Sequence, residues 1–251
     1  MRNLYTERMA HDSYLNNKVI LITGAAKNLG RALALSLAKE GAAVAAHYNE
    51  SKKEAEVLRE ELRRHNEKSD IFRADLRNEK ETRAMITAVE KQYGRVDVLI
   101  NNVGNFIYKP FDEVEYDEFK DVIETNLYAS FLCTKLVIDG MKEREEGSII
   151  NLGCAGADRL TVRELTTPYY IAKTGVILLT KIFARTYATH GVRINSISPG
   201  VLESSVAEPL SIPAGRRASF DDIVNAVLFL LSPASSYING ANIEVAGGWV
   251  P

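Results

Sequence analysis

Tyr169 and Lys173 stand four residues apart in a segment of helical spacing, so their side chains share one helix face. A free phenol has a pKa of about 10 and is a poor proton donor and acceptor near neutrality. An ammonium ~4 Å away contributes about 4 kcal/mol at an effective dielectric of ~20, enough for roughly three pKa units. The pair is therefore expected to bring the phenol toward the range of efficient general acid catalysis. Tyr170 stands only three residues from Lys173 and is not expected to substitute.

A second chemical signal is Thr23-Gly24-Ala25-Ala26-Lys27-Asn28-Leu29-Gly30, between an apolar run and a helical pattern. A glycine turn there lets backbone N–H groups and a helix dipole face a pyrophosphate. Gly24 permits the tight turn and Gly30 permits close helix–strand packing. Asn28 tolerates positive φ better than most non-glycine residues, so the turn survives without a middle glycine.

These two signals need a scaffold, and the apolar patterning supplies one. Short apolar runs at 18–23, 42–46, 71–74, 96–101, 148–152, 193–198 and 242–245 predict strands buried on both faces. Between them, Leu29, Leu33, Leu37 and Ala38 have helical spacing that ends at Gly41. Further helices are predicted at 52–64, 79–93, 116–141, 168–190 and 221–231. Strict alternation implies right-handed crossovers and an α/β fold. The expectation is a Rossmann-like, doubly wound parallel sheet of about seven strands with helices on both faces. Residues 1–16 are expected to be a disordered tail and 17–251 a single dinucleotide-binding and catalytic domain.

The 251 residues carry 31 basic and 33 acidic side chains, a balance that offers nucleic acid or acidic membrane no electrostatic attraction. Two cysteines, Cys133 and Cys154, argue against a disulfide framework and for a reducing compartment. Residues 1–17 have no apolar core of the kind a signal peptide needs, and no run approaches the roughly 20 residues of a membrane helix. A cytoplasmic location follows as an expectation, and no metal site is expected. The segment 169–187 is apolar around its whole circumference, which fits either deep burial or a second packing face toward another subunit.

The glycine turn resembles the TGxxxGxG motif of the short-chain dehydrogenase/reductase family, and the resemblance runs from about Lys18 onward. Asn101-Asn102-Val103-Gly104 looks like the family's NNAG, Tyr169-x-x-x-Lys173 matches its catalytic pair, and Pro199-Gly200 its PG motif. Within the family, the turn and His47-Tyr48-Asn49-Glu50-Ser51 are most similar to pteridine reductases. The C-terminal part is also similar to 3-oxoacyl-carrier-protein reductases. The resemblance implies that Lys173 also holds the nicotinamide ribose. It implies that Asn126 holds a water linking Lys173 to solvent; a satisfied core amide is the other reading. Cys154 falls where relatives keep the serine that binds the substrate oxygen. A thiol is the weaker donor, and Thr161, Thr166 or Thr167 offers a hydroxyl instead.

The same resemblance places cofactor contacts at Gly24, Lys27, Asn28, Leu29, Asn102, Val103, Gly104, Tyr169, Lys173, Pro199 and Gly200. A carboxylate ending the second strand normally accepts the ribose hydroxyls of NAD, and Tyr48 stands there instead. Lys27 is placed where relatives that prefer NADP carry a base, and Asn49 and Ser51 add donors. NADPH is thereby favoured, with Lys27 as a solvated surface charge and Glu50 folding onto a ribose as the competing readings. Asp75 and Leu76 are placed at the adenine, unless Asp75 only caps its turn. The implied activity is NADPH-dependent carbonyl reduction by a homotetramer. A 3-oxoacyl thioester, small or carrier-bound, is the first substrate, a pteridine the second, and a non-catalytic NADP(H)-binding regulator the alternative of another class.

Overall fold

The computed structural model describes residues 13–205 and 211–249. Its strands are β1 (Val19–Ile22), β2 (Ala43–Tyr48), β3 (Asp70–Arg73), β4 (Val98–Asn101), β5 (Gly147–Leu152), β6 (Val192–Pro199) and β7 (Asn242–Val245). They form one sheet, parallel throughout, in the order β3-β2-β1-β4-β5-β6-β7. The chain steps outward from β1 to β3 and restarts with β4 on the other side of β1. That reversal opens a crevice beyond the C-terminal ends of β1 and β4, where open α/β sheets take their ligands.

Successive strand residues point to opposite faces. Ile20 and Ile22 enter one core layer and Leu21 the other. The first layer lies under α1 (Asn28–Lys39), α2 (Lys52–Arg63) and α7 (Phe220–Leu231). The second lies under α3 (Glu79–Tyr93), α5 (Ala129–Glu143) and α6 (Thr167–Tyr187). With helices on both faces, the strands need no polar side, which is why they read as continuous apolar runs. The result is one Rossmann-like domain.

Two expectations are corrected. Of the tail at 1–16, residues 1–12 lie outside the described residues, but 13–16 begin a packed turn. Leu15 is 2% exposed within the first core layer, and the Tyr14 hydroxyl donates to the Leu228 carbonyl at 2.7 Å. A single apolar anchor has no periodicity to reveal it. The helix expected over 116–141 is interrupted: α4 (Tyr116–Ile123) passes into one π turn, Glu124–Tyr128, before α5 begins. The extra residue rotates Asn126 inward to full burial, and the Ser130 hydroxyl takes up the Asn126 carbonyl at 2.7 Å.

The expected substrate loop at 201–219 is pinned at its base by paired backbone bonds between Val201, Glu203 and Ala218. Residues 206–210 of that loop lie outside the described residues.

Candidate active site

The turn between β1 and α1 is shaped by conformations that side chains resist. Gly24 has φ +65° and Asn28 has φ +47°, both left-handed. A Cβ on Gly30 would collide with the Gly24 carbonyl oxygen. The Asn102 amide clamps the turn from β4, donating to the carbonyls of Thr23 (3.0 Å) and Gly24 (3.1 Å). His47 holds it from β2. Its Nδ1 accepts the Gly24 N–H at 3.0 Å, while its carbonyl accepts the Ala25 N–H at 2.8 Å. Its Nε2 therefore carries the proton and donates to the Ala74 carbonyl at 3.0 Å. Burial pushes this imidazole down to about 4, so it is neutral.

Because His47 consumes the Gly24 and Ala25 donors, the N–H groups open to an anion are those of the first turn of α1. That helix has no side-chain cap, unlike α3, where Asn78 caps the first turn. An uncapped helix start behind a left-handed glycine fits a pyrophosphate through backbone donors and dipole together.

A cavity of about 600 Å³ runs from this turn across the C-terminal ends of β4, β5 and β6. Gly24, Lys27, Asn28, Leu29, Asn102, Val103, Gly104, Cys154, Tyr169, Lys173, Pro199 and Gly200, all singled out in the sequence, line it. Asn126 sits directly behind the wall. A Cβ on Gly104 would run into its Oδ1 and approach Lys173 Nζ to 3.5 Å, so both groups converge on that glycine. The Asn126 amide nitrogen donates to the Asn105 and Val122 carbonyls, each at 2.9 Å, but its buried Oδ1 has no partner. A satisfied core amide would have one.

Lys173 Nζ donates to the Leu152 carbonyl at 2.7 Å and stands 5.4 Å from the centre of the Tyr169 ring. The sequence expectation for this pair is corrected in direction. Burial pushes the Tyr169 phenol well above its ordinary range and brings Lys173 down to about 8. Desolvation by burial is the largest cause for both groups, and it disfavours the charged form of each. The phenol therefore stays protonated near neutrality.

Beside them the Cys154 thiol, raised by burial, is also protonated and lies within hydrogen-bond reach of the Tyr170 hydroxyl. Of the three threonines considered, Thr166 lines the cavity. Thr161 and Thr167 instead spend their hydroxyls on the Gly156 and Arg163 carbonyls.

Farther out, Tyr48, Asn49, Ser51, Asp75 and Leu76 are not part of the cavity lining; Tyr48 ends β2, Asn49 and Ser51 follow it, and Asp75 and Leu76 follow β3. Leu76 is a core residue. Asp75 is held by the Arg77 guanidinium at 2.7 Å, which keeps its carboxyl low. Lys27 is no lone surface charge; it pairs with Glu54 of α2 at 2.8 Å. The Asn101 side chain points into the sheet, donating to Asn151 at 2.8 Å.

Several contributors escaped sequence reading. His47 has nothing in its local sequence to mark it as a clamp of the β1–α1 turn. Asn105 joins Asn126 to Asp121, and Arg163 and Trp249 line the far end of the cavity. Each acts across the fold, so no local spacing announces it.

Residues 24–250 match the family model described as enoyl-(acyl carrier protein) reductase. The chain is 37% identical over 246 residues to a 3-oxoacyl-(acyl-carrier-protein) reductase of Staphylococcus epidermidis, covering 92% of this chain and 98% of that one. It is 30% identical over 247 residues to a 2-dehydro-3-deoxy-D-gluconate 5-dehydrogenase of Formosa agariphila, covering 93% of each. Levodione reductase superposes with a TM-score of 0.85 at 28% identity, over 93% of this chain and 98% of that structure. The chain belongs to the short-chain dehydrogenase/reductase family and is an oxidoreductase acting on CH–OH and C=O groups.

Proposed function

We propose that the protein reduces a ketone with NADPH, and that a 3-oxoacyl thioester, free or carrier-bound, is its substrate type. The observation that carries this reading is the convergence of Tyr169, Lys173 and Cys154 on one cavity whose other end is the uncapped helix start. When bound, the nicotinamide supplies a hydride to the carbonyl carbon. Tyr169 donates its hydroxyl proton to the carbonyl oxygen, so C=O becomes CH–OH with charge balanced. The Cys154 thiol orients that oxygen, and Lys173 stabilises the phenolate left behind. The unpartnered Oδ1 of Asn126 provides an acceptor for a water that returns a proton toward Lys173. Likeness to carrier-protein reductases supports the substrate class, and the two unpaired cysteines suit a cytoplasmic setting.

NADPH is preferred over NADH because Lys27 is available to a 2′-phosphate. Its pair with Glu54 is half exposed, and solvent and salt weaken such surface pairs. A doubly charged phosphate is expected to displace the carboxylate. We expect NADPH to bind at least about tenfold tighter than NADH, a difference of ~1.4 kcal/mol, and Glu54→Gln to widen the gap. Fluorescence titration giving equal or tighter NADH affinity would overturn the preference. The reaction is tested by following NADPH oxidation with an acetoacetyl thioester, dihydrobiopterin, a quinone and a diketone. Binding without oxidation of any of them would favour a regulatory protein.

A further inference from the structure

The cavity lining contains three cations and, among the described residues, no carboxylate. Lys27 serves the helix-start end and Lys173 is held by a backbone carbonyl. The third, Arg163, has no such duty. Its guanidinium lies between two aromatic faces, 5.9 Å from the centre of the Tyr170 ring and 5.7 Å from that of Trp249. The backbone of Arg163 is fixed just ahead of α6, its carbonyl accepting the Thr166 N–H at 3.1 Å and the Thr167 hydroxyl at 2.7 Å. Among the described residues, no acid or carbonyl takes any of its five N–H donors.

Cation–π contact with the Tyr170 and Trp249 rings uses the charge of the guanidinium but none of its N–H donors, which are left to find an acceptor. A planar fork with free donors in a partly desolvated pocket matches a carboxylate or phosphate better than any neutral group. Tyr170, which Arg163 approaches to 5.9 Å, neighbours Tyr169 at 6.3 Å between ring centres, so the guanidinium belongs to the Tyr169 end of the cavity.

We propose that Arg163 is an anion subsite for the carbonyl substrate: an anionic oxygen group of the reduced molecule docks on its edge while the ketone meets Tyr169. The proposal rests on the ketone-reductase reading and decides its substrate type: a phosphate keeps the thioester, and a carboxylate replaces it with a free oxo acid. The anion is either the carboxylate of a short oxo acid or the phosphate of a pantetheine arm.

Two matched pairs separate these sources: 3-oxobutanoate against its methyl ester, and acetoacetyl-4′-phosphopantetheine against acetoacetylpantetheine. The expected result is a preference of about tenfold or more in kcat/KM for the charged member of one pair, and that pair identifies the anion. In Arg163→Met the preference falls below about twofold, and in Arg163→Lys part of it returns. Because the readout is a ratio within one variant, a general loss of activity does not imitate it. Should the Met variant fail to fold, Arg163→Gln carries the same comparison. A wild-type enzyme indifferent to charge in both pairs, or a preference that survives loss of Arg163, overturns the subsite and leaves the reductase reading standing.

If no carbonyl is turned over, the reductase reading fails and the subsite is decided by binding. Trp249, the single tryptophan of the chain, is expected to change fluorescence on addition of butanoate or phosphopantetheine in saturating NADP⁺. That change should vanish in Arg163→Met, and its absence in the wild type overturns the subsite.

Discussion

At the scale of the residue, the chemistry turns on which groups keep their protons. Tyr169 is held protonated by burial and Lys173 is brought down to about 8, so a neutral phenol stands beside an ammonium near neutrality, as the proposed reduction requires. Tyr169→Phe removes the donor alone. Turnover is expected to fall about 10²–10⁴-fold with NADPH binding nearly intact. Retention of more than a tenth of the activity would assign the proton to another group. Cys154→Ser tests the thiol, which lines the same cavity. A better-aligned hydroxyl, worth about 0.5–1.5 kcal/mol, should raise kcat by up to roughly tenfold. A lower melting temperature with unchanged or lower kcat would mark Cys154 as an apolar filler. Residue types and spacing made the Tyr169–Lys173 pair legible. Their charge states were not, because the desolvation that decides them depends on what the rest of the chain packs around them.

At the scale of the element, local pattern reached the strands and most helices, since apolar period and glycine punctuation are local properties. It missed the π turn at Glu124–Tyr128, because helical spacing continues on both sides of one inserted residue. It also missed that the β1–α1 turn is built by three strands, with His47 of β2 joining the Gly24 N–H to the Ala74 carbonyl beyond β3. This imidazole must stay neutral, since a proton on Nδ1 would face the Gly24 N–H. Its folded pKa is depressed from 6.5 to about 4, so the unfolded chain binds more protons across that window. Stability is therefore complete above pH 6.5 and is lost as pH falls toward 4, by about 3 kcal/mol from this group. In His47→Asn the melting temperature should change less between these two pH values than in the wild type. Equal slopes would show that another group carries the acid sensitivity.

At the scale of the whole molecule, the apolar circumference of α6 resolves into two faces. Val176, Ile177 and Phe183 are buried, whereas Ile171, Leu178 and Ile182 are exposed, as are Tyr128 and Phe131 at the start of α5. Covering this second face returns about 25 cal/mol per Å² of apolar area before the entropy of association. We expect a homotetramer of two-fold symmetry, and light scattering that finds a monomer at micromolar concentration would refute it. Sequence alone determined the fold class, the glycine turn and the Tyr169–Lys173 pair. Each rests on steric or periodic constraints confined to a few neighbouring residues. Tertiary structure alone decided that Asn126 and Lys173 converge on Gly104, that Lys27 meets Glu54, and that Arg163 lies between Tyr170 and Trp249. Those relations join residues from separate elements, and their distances and burial exist only once the sheet has ordered its strands and the helices have closed over it.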